Sequence, residues 1–398
     1  MRAKILVVLT FLLFSVASSL AGTEKVLYSF AGGTDGSNPF QAGVVFDQSG
    51  NLYGVTQNGG LYGDGTIFQL TPSGSGWTET VLYNFNGASD GAEPQGGLVI
   101  DGSGNLYGTA SSAGPGACGT VFQLAPSQTG WTYTVLHAFT NDSDGCMPQG
   151  DLYGLIYGTT AYGGHYGQGT VYYISTSGGD YTPERFNGSD GSFPTGIGNC
   201  PPWGICGSTN SGGVRYSGGT VYLWLDGIGN GLDPTAIINF NDQGKGGYQP
   251  IGNVASDGWN MYVTTSYGGS HHSGAVYQVK PKNNRRGGIG FGLVALHVFT
   301  DVKGDGSTPW AGVILDGSGN VYGTTMYGGS DPGSGGTVFK LMPGAKKKWN
   351  ETILYSFSGG ADGGQPTGSI IFDGAGNIYG TTYKGGVYGQ GEVYMVTP

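Results

Sequence analysis

Charge is scarce in this 398-residue chain: Lys, Arg, Asp and Glu together make up 11% of it, beside only five histidines and four cysteines. The balance is acidic, at a net −10, which argues against nucleic acid as a partner. Helical periodicity is missing beyond Ala21, so an all-β chain is expected. After the run Ile5 to Val16 there is no long apolar stretch, and no membrane span is expected. Cys-x-x-Cys and His-Glu-x-x-His spacings are absent, as are a phosphate loop and a Gly-x-Ser-x-Gly elbow, so no motif supports a metal, nucleotide or serine-hydrolase site. No cofactor is expected. The 83 glycines lack the strict period of three that collagen needs, and aromatics at 13% argue against disorder.

What the chain contains is one phrase written seven times. Each copy runs through an aromatic-rich strand, an Asp-Gly-x-x-Pro turn, an apolar strand, an Asn-Leu-Tyr-Gly-Thr strand, a Gly-rich loop and a Gly-Thr-Val-Phe-Gln-Leu strand. The phenylalanines closing the first segment are Phe30, Phe85, Phe139, Phe186, Phe240, Phe299 and Phe357, 47 to 59 residues apart. That is room for four short strands with turns. Four strands alone bury one face, whereas a closed ring of such units removes most exposed sheet edges. The repeat predicts a single seven-bladed β-propeller over 22–398, with four antiparallel strands per blade.

Blade two shows the pattern. Gly97 to Asp101 is strand a, Asn105 to Ala110 strand b across a tight Asp-Gly-Ser-Gly-Asn turn, Gly119 to Ala125 strand c, and Trp131 to Phe139 strand d. The first segment after the leader, Glu24 to Phe30, is of type d, and the last, Gly391 to Pro398, is of type c. The N-terminal strand should therefore complete the last blade.

Residues 1–21 read as a signal peptide: a basic start at Arg2 and Lys4, an apolar run, and Ser19 and Ala21 before the cleavage point. Loss of Arg2 and Lys4 from the 16 basic residues, against 26 acidic, deepens the net charge from −10 to −12. A secreted, extracellular or periplasmic monomer is expected.

The phrases Val-Leu-Tyr-Ser-Phe, Asp-Gly-Ser-Gly-Asn-Leu-Tyr-Gly-Thr and Gly-Thr-Val-Phe-Gln-Leu-Thr-Pro resemble the tandem repeats of bacterial GloVer-repeat, "choice-of-anchor" exported proteins. The likeness covers the whole chain after the leader. It implies an exported propeller-like repeat protein and no particular reaction. No anchor segment follows Pro398, a departure that points to a freely secreted or periplasmic form.

In an exported chain, four cysteines favour disulfides. Cys118 lies in the b-to-c loop of blade two and Cys146 in the connector to blade three. Both emerge on one face, here the top, so a Cys118–Cys146 bridge is expected. Cys200 and Cys206 flank Pro201-Pro202-Trp203-Gly204 and should staple an atypical a-to-b turn.

A motif copied into every blade speaks for construction. Asp35, Asp90, Asp144, Asp190, Asp305 and Asp362 of the Asp-Gly turns could ring a cation site, but local backbone bonding explains them better. His137 and His297 replace a strand tyrosine and are read as packed. More informative are the top-face loops and strand ends, which carry Tyr62, Tyr162, His165, Tyr166, Arg215, Tyr216, Tyr267, His271, His272, Tyr327, Tyr383 and Tyr388. Rings beside polar groups suit sugar faces and hydroxyls, although Tyr162, Tyr267 and Tyr327 recur in register as packing residues would. The expected role is binding an extracellular glycan. The alternatives are a carbohydrate-active lyase or glycosidase, using His165, His271 or His272 with carboxylates such as Asp64 or Asp331, and a purely structural surface protein. On the bottom face, Lys280, Lys282, Arg285 and Arg286 with Lys346, Lys347 and Lys348 form a basic patch, read as solvated loop charge.

Overall fold

The computed structural model describes residues 22–398 apart from 155, 179–180, 215, 225–232, 242–245, 284–287 and 331–333. The leader, Arg215, Asp331, Arg285 and Arg286 fall outside the described residues. Seven antiparallel sheets form the blades of a propeller, as the repeat predicts. In blade one, strands a to d are Val45–Phe46, Leu52–Thr56, Thr66–Ser73 and Gly76–Asn84. Strand a is interrupted in blade two, where Ala92–Pro94 and Val99–Ile100 both pair with Leu106–Ser112. In blade six, Asp305–Ser307 and Tyr327–Gly329 form a small ladder beside the main sheet.

The ring closes as expected. Thr23–Ser29 runs antiparallel to Glu392–Thr397, with Thr23 opposite Thr397 and Ser29 opposite Glu392. Blade seven thus combines strands from both ends of the chain, and two sheet edges are consumed.

Between blades, each closing phenylalanine packs on an aromatic ring in strand c of the next blade: Phe30 on Phe68, Phe85 on Phe122, Phe139 on Tyr172, Phe186 on Tyr222, Phe240 on Tyr277, Phe299 on Phe339 and Phe357 on Tyr394. All seven phenylalanines are buried. The strand c ring explains the glycine of Asn-Leu-Tyr-Gly-Thr, because a Cβ on Gly54 would lie 2.6 Å from Phe68 Cζ. In blade five Val263 stands at that position, and the hydroxyl of Tyr277 instead accepts a hydrogen bond from Gly247 N at 2.6 Å.

Turn chemistry follows the repeated aspartates. In the a-to-b hairpin Asp101 accepts from Ser103 N, Asn105 N, Asn105 Nδ2 and Tyr107 Oη at 2.7 to 3.2 Å. Asp47, Asp316 and Asp373 do the same, and Asp257 does so through Trp259, Asn260 and Tyr262. Blade four has no aspartate there, and the Cys200–Cys206 disulfide ties its hairpin instead. Cys118–Cys146 joins blades two and three at the top. The Asp-Gly aspartates accept backbone N–H groups from the residue after the preceding closing phenylalanine, as at Asn86, Thr140, Asn187 and Ser358, which is the local turn role.

Candidate functional site

The innermost segment of each blade carries a proline at its top, within or shortly before strand a: Pro39, Pro94, Pro148, Pro194, Pro250, Pro309 and Pro366. The residue before it, Asn38, Glu93, Met147, Phe193, Gln249, Thr308 or Gln365, is left-handed in every blade, with φ between 53° and 58°. Such a conformation is unfavourable for a residue with a side chain. It is held by a bond to the preceding blade. The seven N–H groups donate at 2.6 to 3.0 Å to the carbonyls of Gln390, Asp64, Cys118, Gln168, Gly218, Ser273 and Gly335 respectively. One backbone geometry therefore presents seven side chains around the channel mouth, and six residue types occupy the seven places.

Below this collar the inner strands nearly touch. A Cβ on Gly252 would lie 2.1 Å from Gly312 N, and one on Gly96 2.3 Å from Gly150 O. One residue further along, three blades supply polar side chains that meet across the axis. Asp151 of blade three accepts from Gly97 N of blade two, from Ser369 Oγ of blade seven, and from Asn253 Nδ2 of blade five at 3.2 Å. Asn253 Oδ1 in turn accepts from Ile197 N of blade four at 3.0 Å. Burial pushes the Asp151 carboxyl up, against the pull of the Ser369 and Gly97 bonds. Against this network lies a small opening of about 20 Å³ beside Asp151, Gln41, Trp310 and Thr367, room for about one water, and on its other side a cavity of about 260 Å³ runs between the inner strands.

Above the network a concavity of about 550 Å³ opens over blades three to five. Its rings are Tyr162, Phe193, Tyr267 and Trp310, and its polar groups include Gln41, Gln149, Asn210 and Gln249. Among the described residues, no side chain lining it carries a full charge. Tyr162 meets the edge of Phe193 with centroids 4.9 Å apart, and Tyr267 stacks on Tyr248 at 5.9 Å and 20°. Trp310 Nε1 is buried with no hydrogen-bond partner among the described residues.

The sequence candidates divide into two zones. Tyr162 and Tyr267 line the concavity. Tyr383 lies on the inner side of blade seven, edge-on to Phe40, and Tyr327 sits in the ladder with Ser307. The loop tips lie farther out. Leu61 N and Val214 N donate to the side-chain oxygens of Asn84 and Asn239, and Val387 N to Ser29 Oγ, residues of the outermost strands. Tyr62, Tyr216 and Tyr388 are consequently rim residues, at 64%, 38% and 60% exposure. His165 and Tyr166 form an exposed edge-on pair. His271 and His272 are exposed, His271 Nδ1 lies 2.9 Å from Ser270 Oγ, and no carboxylate among the described residues pairs with His165, His271 or His272. Reading from sequence missed Gln149, Phe193, Gln249, Trp310 and Asp151. The available signal was the variable residue of the Asp-Gly-x-x-Pro turn and its neighbours, which differ from copy to copy.

These features define a tandem-repeat propeller with a single-sided concavity lined by aromatic rings and side-chain amides. The chain belongs to the Gloeobacter/Verrucomicrobia repeat family, which matches residues 12–222. No curated protein matches it. Among solved structures, a candidate 6-phosphogluconolactonase from Bacteroides uniformis is similar over 85% of this chain and 89% of its own, at 13% identity and a TM-score of 0.50. A candidate oxidoreductase (glucose dehydrogenase) from Thermus thermophilus is similar over 94% of this chain and 100% of its own, at 13% identity and a TM-score of 0.46. A gluconolactonase from Xanthomonas campestris is similar over 94% and 89%, at 13% identity and a TM-score of 0.41. Likeness at such identity speaks for the fold alone.

Proposed function

We propose that the protein is an exported binding module that holds a neutral extracellular glycan in the concavity of blades three to five. The observation that carries this reading is the lining: four aromatic rings and several side-chain amides, with no full charge among the described residues, in a protein whose net charge is −10. Rings cover the C–H faces of sugars, and an amide both donates to and accepts from hydroxyls. The Tyr162–Phe193 and Tyr248–Tyr267 contacts fix the rings in advance, which lowers the ordering cost of binding. Acid–base hydrolysis of a glycoside calls for a pair of carboxylates, and among the described residues neither carboxylate nor imidazole lines this space.

Two disulfides, and the lack of any helix among the described residues long and apolar enough to cross a membrane, are consistent with an extracellular or periplasmic location. Titration calorimetry against neutral polysaccharides chosen on a glycan array tests the reading. Replacing Tyr162 and Tyr267 by alanine should weaken binding at least tenfold, since one well-placed ring is worth about 2 kcal/mol, while Tyr62→Ala with Tyr388→Ala leaves it unchanged. The reverse ranking would move the site to the rim. Turnover of a polysaccharide abolished by His271→Ala and His272→Ala would replace binding by catalysis.

A further inference from the structure

Blade junctions repeat one arrangement, which makes a departure informative. Two residues before the closing phenylalanine, Tyr28, Tyr83 and Tyr355 each donate a hydroxyl to the aspartate of the following Asp-Gly turn, Asp35, Asp90 and Asp362. Histidine takes the tyrosine's place twice, at His137 and His297. His137 lies 3.3 Å from Asp144 but is covered by the stacked ring of Tyr181 at 4.1 Å. At the junction of blades five and six the next blade supplies a glutamate instead. There His297 Nε2 lies 3.1 Å from Asp305 Oδ1 and 3.3 Å from Glu351 Oε2.

We propose that His297, Asp305 and Glu351 bind a first-row transition-metal dication, Zn²⁺ in the first instance, as a clip between blades five and six. Their ligand atoms all lie within 4.8 Å of one another. A tetrahedral ion with bonds of about 2.0 to 2.2 Å separates its ligand atoms by about 3.3 to 3.6 Å, close to the two spacings from Nε2. One imidazole with two carboxylates is a donor set that such ions accept. The protein-only alternative leaves groups unserved. Nε2 carries at most one hydrogen yet faces two carboxylate oxygens, and Glu351 Oε1 is buried without a partner, as Oε1 of Glu24 and Glu79 is at the same place in two tyrosine junctions, where no histidine adds a third donor. An ion at the centre serves all three residues and offers Oε1 a second bond.

The surroundings orient one of the ligands, Asp305, as a metal shell requires. Thr300 donates to Asp305 Oδ2 through N at 2.9 Å and Oγ1 at 2.5 Å, and Gly306 N donates to Oδ1 at 2.7 Å. The side chains of His297, Asp305 and Glu351 are 21%, 10% and 13% exposed, so solvent reaches the cluster and water can take a remaining coordination position.

The test uses the full chain, stripped with a chelator and titrated with Zn²⁺ by calorimetry at neutral pH, with Co²⁺ as an absorbance probe. One ion per chain is expected, with a raised melting temperature and weaker binding in acid, since the ligands must be deprotonated. His297→Tyr installs the side chain that three other junctions use, so it should fold and lose the ion. Glu351→Gln should weaken binding by at least about tenfold, and His137→Tyr should change nothing. Should His297→Tyr fail to fold, Glu351→Gln decides alone. Absence of stoichiometric binding, or binding that survives either substitution through the exposed His165, His271 and His272, overturns the proposal.

Discussion

The two ends of the inner strand follow opposite rules. At the bottom, five blades repeat one side chain, Asp47, Asp101, Asp257, Asp316 or Asp373, each bonded to the same kinds of partner in its own hairpin. At the top, seven blades repeat one backbone conformation while the side chain changes from Asn38 to Glu93, Met147, Phe193, Gln249, Thr308 and Gln365. Uniform side chains at the bottom build the turn. Varied side chains on a uniform backbone are what a recognition surface needs, because the frame holds each one in place whatever its chemistry. The comparison breaks if bottom substitutions alter binding or top substitutions alter only stability.

The largest effect is expected at the bottom. Replacing both Asp101 and Asp316 by alanine removes the hydrogen bonds that close two hairpins and should cost about 2 to 3 kcal/mol in denaturant unfolding, at about 1 kcal/mol or more per lost cap-like cluster. Glycan affinity should stay at the wild-type value. A loss of affinity at full stability would place the ligand on the wrong face.

A departure inside the building elements sharpens the same contrast. Strand c opens with Thr66, Thr170, Thr220 and Thr337, each hydroxyl meeting a threonine of strand b, but blade seven has Glu392 there, fully buried and with neither carboxyl oxygen hydrogen-bonded. Burial, then Glu24 and Asp362, push Glu392 up to about 9, and burial followed by Asp362 pushes Glu24 up to about 7. Both groups hold a proton in the fold that the unfolded chain releases near pH 4.5, so their contribution is lost as pH rises from about 4.5 through those values. The bottom aspartates act oppositely. Burial raises Asp101 and Asp316, but the bonds from Asn105 and Asn320 outweigh it and hold both below 3.8, so that stability is lost as pH falls through the lowered values. Maximum stability is expected at about pH 4 to 5. Glu392→Thr should flatten the alkaline limb and gain about 1 to 3 kcal/mol at pH 8, the cost of an unsatisfied buried polar group. An unchanged pH profile would assign the limb to other groups.

Ring, blade order, closure and both disulfides were legible because they depend on a local period and on which loops share a face. The phenylalanine spacing marks the blades, and the types of the first and last strands dictate how they join. The axial network was less legible because it depends on what meets across an axis: nothing local in Gly150-Asp151-Leu152 announces that Asp151 reaches blades two, five and seven. The loop tyrosines mark the same boundary. Tyr62 and Tyr388 belong to top-face loops, as their position in the repeat implies, yet the bonds from Leu61 to Asn84 and Val387 to Ser29 carry the tips outward.

The smallest effect tests whether the top collar is a frame independent of its side chains. Thr308 is β-branched, sits at φ 54°, and is absent from the wall of the concavity. Left-handed backbone disfavours an L residue by about 1 to 2 kcal/mol, and glycine has no such penalty but loses up to about 1 kcal/mol of unfolded-chain entropy. Thr308→Gly should therefore stabilise slightly, by roughly 0.5 to 1 kcal/mol, while the bond from residue 308 N to Ser273 O, now 2.8 Å, persists. Glycan affinity should not move. Phe193→Gly relieves the same backbone but removes the ring that buttresses Tyr162, so it should lose affinity whatever it does to stability. If both substitutions leave binding intact, the collar is scaffold alone and the ligand does not rest on it.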